Sequence, residues 1–129
     1  MIIGVDFDGT IVTHDFPAIG NPLDLALDTL RELVRLDHKL ILFTMRSGIY
    51  LEEAVEYLSK NNVKLWGINT NPEQSAWTDS PKAYCHIYID DAALGCPLIY
   101  NRDIHKRAFV DWRGVRKLLM NHVKNFGET

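Results

Sequence analysis

The stretch that decides the fold is IIGVDFDGT, residues 2–10. Its first half is an apolar, β-branched run typical of a buried strand. The run ends at two carboxylates on alternate positions, Asp6 and Asp8, whose side chains point the same way if the strand continues straight. Gly9 then permits a sharp turn or a close approach of the backbone to another group, and Thr10 follows it. Because two like charges held close together repel each other, we expect a divalent cation to compensate them at this strand end.

Two further apolar runs also end in polar residues, and a lone lysine precedes one of them. The run LILFT is a second strand of the buried type and ends in the hydroxyl of Thr44. The run CHIYIDD ends in the acidic pair Asp90 and Asp91, and Lys82 precedes it as a lone cation. The order acidic pair, Thr, Lys, acidic pair is more specific than any one of its parts. It predicts metal-assisted chemistry on an anionic substrate.

The composition is that of one soluble domain. The chain has 129 residues, of which 47% are hydrophobic and 24% charged, and we expect residues 1–129 to form a single domain. No apolar run approaches the ~20 residues that span a bilayer. The first residues also lack the basic segment of a secretory signal, so we expect no membrane partner. Cys85 and Cys96 lack metal-ligand spacing and are expected to be reduced thiols of a cytoplasmic protein.

Positive charge is concentrated towards the C-terminus. Seven of the 14 Lys and Arg residues lie between Arg102 and Lys124, in a chain whose net charge is −3. A basic stretch of this kind suits nucleic acid or an acidic partner. It also suits the solvated face of a terminal helix, which we favour because no aromatic residues are interleaved in a stacking pattern.

Strands and helices alternate along the chain. Apolar runs of strand length predict strands near 2–7, 39–44, 64–69, 85–90 and 97–100. The first helix is expected to begin with Asn21 as its N-cap and Pro22 at its first position. The second is expected to follow Ser47 and Gly48 and to run to about Lys60, and the last to start at Asp111.

This alternation predicts the α/β class, as a three-layer, Rossmann-like open parallel sheet of about five strands with helices on both faces. Right-handed crossovers place the carboxyl ends of parallel strands along one edge, where open α/β sheets bind ligands. Five polar residues follow predicted strand ends, so we expect them to form one site: Asp6, Asp8, Thr44, Asp90 and Asp91.

These residues resemble the motifs of the haloacid dehalogenase (HAD) superfamily of phosphotransferases. The first motif is DFDGT, which begins at Asp6; the second is Thr44, the third Lys82, and the fourth is the pair Asp90 and Asp91. The segment LFTMR is similar to a capless bacterial and phage subgroup of that superfamily. The resemblance implies a phosphomonoester phosphatase that depends on Mg²⁺.

The resemblance also assigns a role to each motif residue. Asp6 would attack phosphorus and form an aspartyl-phosphate, while Asp8 would serve first as general acid and then as general base. Nearby negative charge is expected to raise the pKa of Asp8. Thr44 and Lys82 would bind the transferring phosphoryl oxygens. Arg46, two residues beyond Thr44, is expected either to bind a second anionic group of the substrate or to form a surface ion pair.

The implied Mg²⁺ would be held by Asp6, by the backbone carbonyl of Asp8, and by one of Asp90 and Asp91. We favour Asp91 as the direct ligand, with Asp90 orienting Lys82 or a bound water. Oxygen ligands suit Mn²⁺ as well as Mg²⁺, so the sequence does not choose between these ions.

No large cap domain is expected, because only short segments precede the first helix and Lys82. An open site favours a large or extended phosphorylated substrate, or closure by another subunit of a homo-oligomer. The loop residues His14, Asp15, Phe16 and Trp77 are candidate selectors of the substrate. Two alternatives stay open: a nucleic-acid end (3′ or 5′) phosphatase, and a phosphoryl-accepting or binding module without turnover.

Overall fold

A computed structural model of the chain describes residues 1–128 and has an α/β fold. Its main sheet contains four parallel strands in the order β3-β2-β1-β4, where β1 is Ile2–Val5, β2 is Lys39–Leu42, β3 is Gly67–Ile68 and β4 is Ile87–Ile89. The three helices are α1 at Ala26–Arg35, α2 at Gly48–Lys60 and α3 at Trp112–His122. The predicted α/β class and its parallel sheet are confirmed. No helix within residues 1–128 has the length and apolar character needed to cross a bilayer.

The predicted fifth strand exists but lies outside the parallel sheet. Strand β5, Leu98–Ile99, pairs in antiparallel fashion with β6, Phe109–Val110, as a separate two-stranded sheet. Only residues 90–97 connect β4 to β5. A parallel neighbour needs a crossover of about a dozen residues or more. The connection is therefore too short for a fifth parallel strand, and β5 pairs with the strand that follows it.

One face of the sheet is buried under all three helices. Ile3 and Val5 of β1 belong to the same core cluster as Leu33 of α1, Leu58 of α2 and Leu119 of α3. Each of these five side chains is almost fully excluded from solvent. The burial of these apolar side chains stabilises the packing of the helices on the sheet, and thereby the strand order on which the candidate site depends.

The opposite face is covered by chain that contains no α-helix in the described residues. Side chains alternate along a strand, so Gly4 faces away from the helices; a Cβ there would lie 2.9 Å from the Sγ atom of Cys85. The segment between β3 and β4 covers this face and contains only the short 3₁₀ helix Gln74–Ala76. The strand order explains why: β1, β2 and β3 step in one direction, and β4 lies back beyond β1, so right-handed connections put this segment on the other face. The prediction of helices on both faces is therefore wrong for residues 1–128.

Two of the three helices begin within one residue of the predicted start. Helix α2 begins at Gly48 and ends at Lys60. Helix α3 follows Asp111, whose carboxylate accepts hydrogen bonds from the amides of Arg113 and Gly114 at 3.1 and 3.2 Å. This is the N-cap geometry that satisfies amides otherwise lacking a partner.

Helix α1 begins at Ala26, four residues later than predicted. The chain before it is held in an extended form, because the Thr13 amide donates to the Asn21 carbonyl and the Leu23 amide to the Ile11 carbonyl, both at 2.9 Å. Tertiary pairing with the loop after β1 thus overrides the local start signal of proline.

Candidate active site

Three carboxylates meet where β1 and β4 end. Val5 and Ile89 are partners in the register of these strands, so Asp6 and Asp90 come next on adjacent strands. The Asp6 amide donates to the Ile89 carbonyl at 3.0 Å, which extends the pairing by one step. Asp6, Asp90 and Asp91 each offer an oxygen that lies within 4.8 Å of the others.

Repulsion within this group changes the titration of its members. The pKa of Asp6 is raised from 3.8 to about 8, most by burial, then by the charge of Asp90 and a hydrogen bond with Asp91, while hydrogen bonds from Thr10 and the Phe7 amide act in the opposite direction. Burial also raises the pKa of Asp90. Burial alone would raise the pKa of Asp91, but its hydrogen bonds with Asp6 and His14 lower it. At neutral pH, Asp6 therefore holds a proton unless a cation takes its place.

The donor set fits a hard divalent cation. All three side chains are half-buried carboxylates, which are the ligands that Mg²⁺ and Mn²⁺ prefer. The carboxylate of Asp8 lies outside this group. The predicted ligands Asp6, Asp90 and Asp91 are thus brought together by the fold, and the choice between Asp90 and Asp91 stays a prediction.

Thr10 and His14 orient the carboxylates. The Thr10 hydroxyl donates to Oδ2 of Asp6 at 3.0 Å and accepts from the Asp91 amide at 3.1 Å. Nε2 of His14 lies 2.7 Å from Oδ2 of Asp91. The imidazole lies so close to Gly9 that a Cβ at that position would clash with it, and Gly9 has a φ of +81°. Glycine is therefore required on both counts.

Asp8 lies in a different environment, against a buried arginine. Nε and Nη2 of Arg46 donate to the two oxygens of Asp8, each at 2.8 Å. The side chain of Arg46 is 1% exposed and that of Asp8 19%. This is the bidentate geometry that holds a carboxylate most firmly. Two acids only two residues apart thus have opposite surroundings.

Arg46 has no donor left for a substrate. Its remaining N–H groups donate to the carbonyls of Pro17 and Tyr50 at 3.3 Å and of Ala18 at 2.9 Å, so that all five guanidinium donors are used. Its guanidinium also lies 5.1 Å from the ring centroid of Phe16. The expectation that Arg46 binds a substrate anion is therefore not supported, because its N–H groups already donate to Asp8, to the loop after β1 and to the Tyr50 carbonyl of α2.

Thr44 follows β2, at the same edge of the sheet. Its amide donates to Oδ1 of Asn69 at 2.8 Å, and its hydroxyl oxygen accepts from the Arg46 amide at 3.1 Å. The hydroxyl proton can still be donated, and the side chain is half-buried. Thr44 is thus held in place with one donor to offer.

Among the predicted site residues, Lys82 fits its expected role least well in this structure. It is exposed, its Nζ lies 5.6 Å from the ring centroid of Tyr88, and no acid of residues 1–128 lies within ion-pair distance of it. The expected contact between Asp90 and Lys82 is absent there; Oδ1 of Asp90 instead accepts from the Ala92 amide at 2.9 Å.

Several side chains of the site make contacts that the sequence patterns did not predict. Thr10 lies inside the quoted motif and its hydroxyl could have been recognised as a partner for the acids. His14 was only a candidate substrate selector, and its contact with Asp91 spans 77 positions. The contact of Arg46 with Asp8 spans 38 positions, and nothing local signals it.

The chain is similar to a solved structure over nearly its whole length. A solved structure of a conserved protein coded by a locus of Bacteroides thetaiotaomicron is 32% identical, with a TM-score of 0.74, and the match covers 99% of this chain and 95% of that one. No protein-family model matches the chain, and no curated protein matches it.

Proposed function

The chain belongs to the same family as this conserved protein of Bacteroides thetaiotaomicron, and we propose that it is a phosphomonoester phosphatase of the HAD type that depends on Mg²⁺. The observation that carries the proposal is the meeting of Asp6, Asp90 and Asp91 at two adjacent strand ends. Asp8 lies two residues beyond Asp6, and Thr44 follows the neighbouring strand β2. The proposal is supported by this placement, because positioning and electrostatic stabilisation of the phosphoryl group are the main requirements of phosphoryl transfer.

The first half of the reaction forms a bond between Asp6 and phosphorus. An oxygen of Asp6 attacks the phosphoryl group, the bond from phosphorus to the leaving oxygen breaks, and Asp8 gives its proton to the departing alkoxide. Mg²⁺ held by the carboxylates would keep Asp6 ionised and neutralise the phosphoryl charge. In the second half, Asp8 takes a proton from water as that water attacks phosphorus, which releases inorganic phosphate and restores Asp6.

The contact of Asp8 with Arg46 is compatible with both proton transfers. Each carboxylate oxygen has two lone pairs, and Arg46 uses one on each oxygen. The other lone pairs are left for a proton. Arg46 is therefore a positioning residue, which holds the carboxylate of Asp8 in one orientation while the proton moves.

Thr44 and Lys82 supply the remaining contacts with the phosphoryl oxygens. The Thr44 hydroxyl has a proton to donate from a fixed position. Lys82 is flexible and exposed, so its ammonium reaches the phosphoryl group only after leaving the Tyr88 ring. Binding of the phosphate dianion supplies the attraction for this movement.

We also propose that the site is open to large substrates and that the protein is cytoplasmic. No cap domain covers it within residues 1–128, so a Rossmann-like core leaves room for an extended substrate. We place the protein in the cytoplasm, because Cys85 and Cys96 are free thiols.

The test is release of inorganic phosphate from a broad panel, with and without Mg²⁺. The panel contains sugar phosphates, nucleotides, phosphopeptides and oligonucleotides with 3′ or 5′ phosphates. Asp6→Asn should abolish release, whereas Asp28→Asn, an exposed acid on α1, should not change it. Release by Asp6→Asn at the wild-type rate would sink the proposal. A phosphorylated Asp6 that persists without hydrolysis would indicate a phosphoryl-accepting module instead.

A further inference from the structure

Three exposed cations lie on the loop that joins β5 to β6. We call residues 100–108 the basic loop; its cations are Arg102, Lys106 and Arg107. None of the three forms an ion pair with an acid of residues 1–128.

Two arginines of the basic C-terminal stretch differ from the cations of this loop, because they are paired with acids. Arg113 pairs with Asp24 at 3.2 Å, and Arg116 pairs with Glu32 at 2.9 Å, so both serve to attach α3 to α1 and the segment before it. The predicted solvated helix face thus accounts for this part of the stretch and leaves the basic loop unexplained.

The segment that follows the basic loop is attached to the acidic motif. The Val110 amide, at the end of the loop's second strand, donates to the Gly9 carbonyl at 3.0 Å. Just beyond it, the buried indole of Trp112 donates to the Thr10 carbonyl at 2.6 Å. Both partners, Gly9 and Thr10, belong to the turn that follows Asp8.

A second link joins the basic loop to the loop after β1. Nδ1 of His105 accepts from the Arg107 amide at 3.0 Å, so the ring proton lies on Nε2 and is donated to Oδ1 of Asp15 at 3.3 Å. Oδ2 of Asp15 accepts from the Thr13 hydroxyl. The centroid of the His105 ring lies 6.4 Å from that of His14, which contacts Asp91. The basic loop is thus two side chains away from the three carboxylates.

The cations of the acidic site are already assigned, so none is left for a second anionic group. Arg46 has spent all its donors, and Lys82 lies over Tyr88. An anionic substrate approaching the carboxylates meets repulsion unless positive charge nearby offsets it. The basic loop carries cations that are unpaired within residues 1–128, and it is linked to the loops of the site through His105 and through the strand that follows it.

We propose that the basic loop binds a second phosphate of the substrate, so that the preferred substrates are phosphomonoesters that carry another phosphate group. This inference rests on the proposed phosphatase function and names its substrate class. Tyr100, which is 82% exposed, lies at the start of the loop. An exposed aromatic ring beside cations is the combination that binds single-stranded nucleic acid. The end of an oligonucleotide is thus one source of the second phosphate, and a sugar bisphosphate is another.

The kinetic test compares kcat/KM for a 5′-phosphorylated dinucleotide, a 5′-mononucleotide, a sugar bisphosphate and the matching sugar monophosphate. The wild type should favour substrates with a second phosphate by about tenfold or more, and R102A/K106A/R107A should lose most of that preference. Arg113→Ala and Lys117→Ala remove exposed cations of α3 and should keep it. If only the dinucleotide is preferred over its matching monophosphate, the loop recognises the end of a nucleic acid. If the sugar bisphosphate is preferred over its matching monophosphate as well, the loop recognises any second phosphate.

A binding measurement separates this inference from the proposed function. Asp6→Asn protein is titrated with the 5′-phosphorylated dinucleotide, with and without the three loop substitutions. Binding should weaken about tenfold in the loop variant, with a shallower salt dependence. Equal binding by both proteins, or equal kcat/KM with and without a second phosphate, would overturn the inference. Absence of turnover together with loop-dependent binding would instead refute only the phosphatase.

Discussion

Asp6→Asn is expected to stabilise the metal-free protein while it abolishes turnover. The pKa of Asp6 is raised from 3.8 to about 8 in the folded chain, first by burial and then by the neighbouring Asp90 and Asp91. Between these two pH values the native state holds a proton that the unfolded chain has lost. The free energy of unfolding therefore falls as pH rises through this window.

The magnitude follows from the width of the window. Each pH unit lowers the free energy of unfolding by about 1.4 kcal/mol, so the loss between pH 3.8 and 7.5 is at most about 5 kcal/mol. Asparagine carries no charge, and its carbonyl oxygen can still accept from Thr10. Because Asp6 is only half-buried, we expect a gain of about 2 kcal/mol at pH 7.5, or roughly 6 to 10 °C in Tm.

Asp8→Asn is the matched control, since it makes the same chemical change two residues away. It leaves the buried charge of Arg46 without its carboxylate partner, which costs about 3 kcal/mol. Both variants are melted in EDTA at pH 4 and pH 7.5. Asp6→Asn should gain stability only at pH 7.5, and Asp8→Asn should lose it there. A gain for Asp6→Asn that is equally large at pH 4, or a loss at pH 7.5, would refute the reasoning.

Two further outcomes are expected from the same geometry. Because Mg²⁺ must displace the proton of Asp6, whose pKa is about 8, its affinity should rise about tenfold per pH unit from pH 6 to 8 and then level off. Calorimetry in buffers of different ionisation enthalpy should show about one proton released at pH 7; a flat affinity profile would contradict this. Arg46→Lys should lower kcat about 10- to 100-fold for alkyl phosphates with little change in KM. It should lower kcat much less for aryl phosphates, whose leaving groups need no proton; an equal loss for both substrates would exclude a positioning role.

Local patterns predicted those parts of the fold that depend on local interactions. The strand-end acids and Thr44 could be placed because an apolar run and its last residue are adjacent in sequence. The start of α3 at Asp111 also depends on a carboxylate and the amides just beyond it. The start of α1 was predicted four residues too early, because Pro22 is held by a backbone pairing with Val12 that no local signal reveals.

The site was harder to predict, since its electrostatics depend on contacts between distant positions. The sequence places Asp6 and Asp8 two residues apart and makes them look equivalent. Nearby negative charge was expected to act on Asp8, but the acid that lies among other carboxylates is Asp6. Only the fold shows that Arg46 neutralises Asp8 and that His14 contacts Asp91.

This asymmetry gives the two acids different surroundings, and in the metal-free site it is the proposed nucleophile Asp6 whose pKa is raised, so the proposed roles require a cation that takes the place of its proton. Asp8 has a cation of the protein itself, so its orientation is fixed whether or not substrate is present. Asp6 has no such partner and lies in a group whose repulsion is relieved by a proton or by a metal ion. Had Arg46 paired with Asp6 instead, the nucleophile would be permanently neutralised, and the attraction for a metal ion would be smaller. On the proposed function, binding of Mg²⁺ by these carboxylates would relieve this repulsion, so the same feature that destabilises the metal-free site would favour binding of the ion.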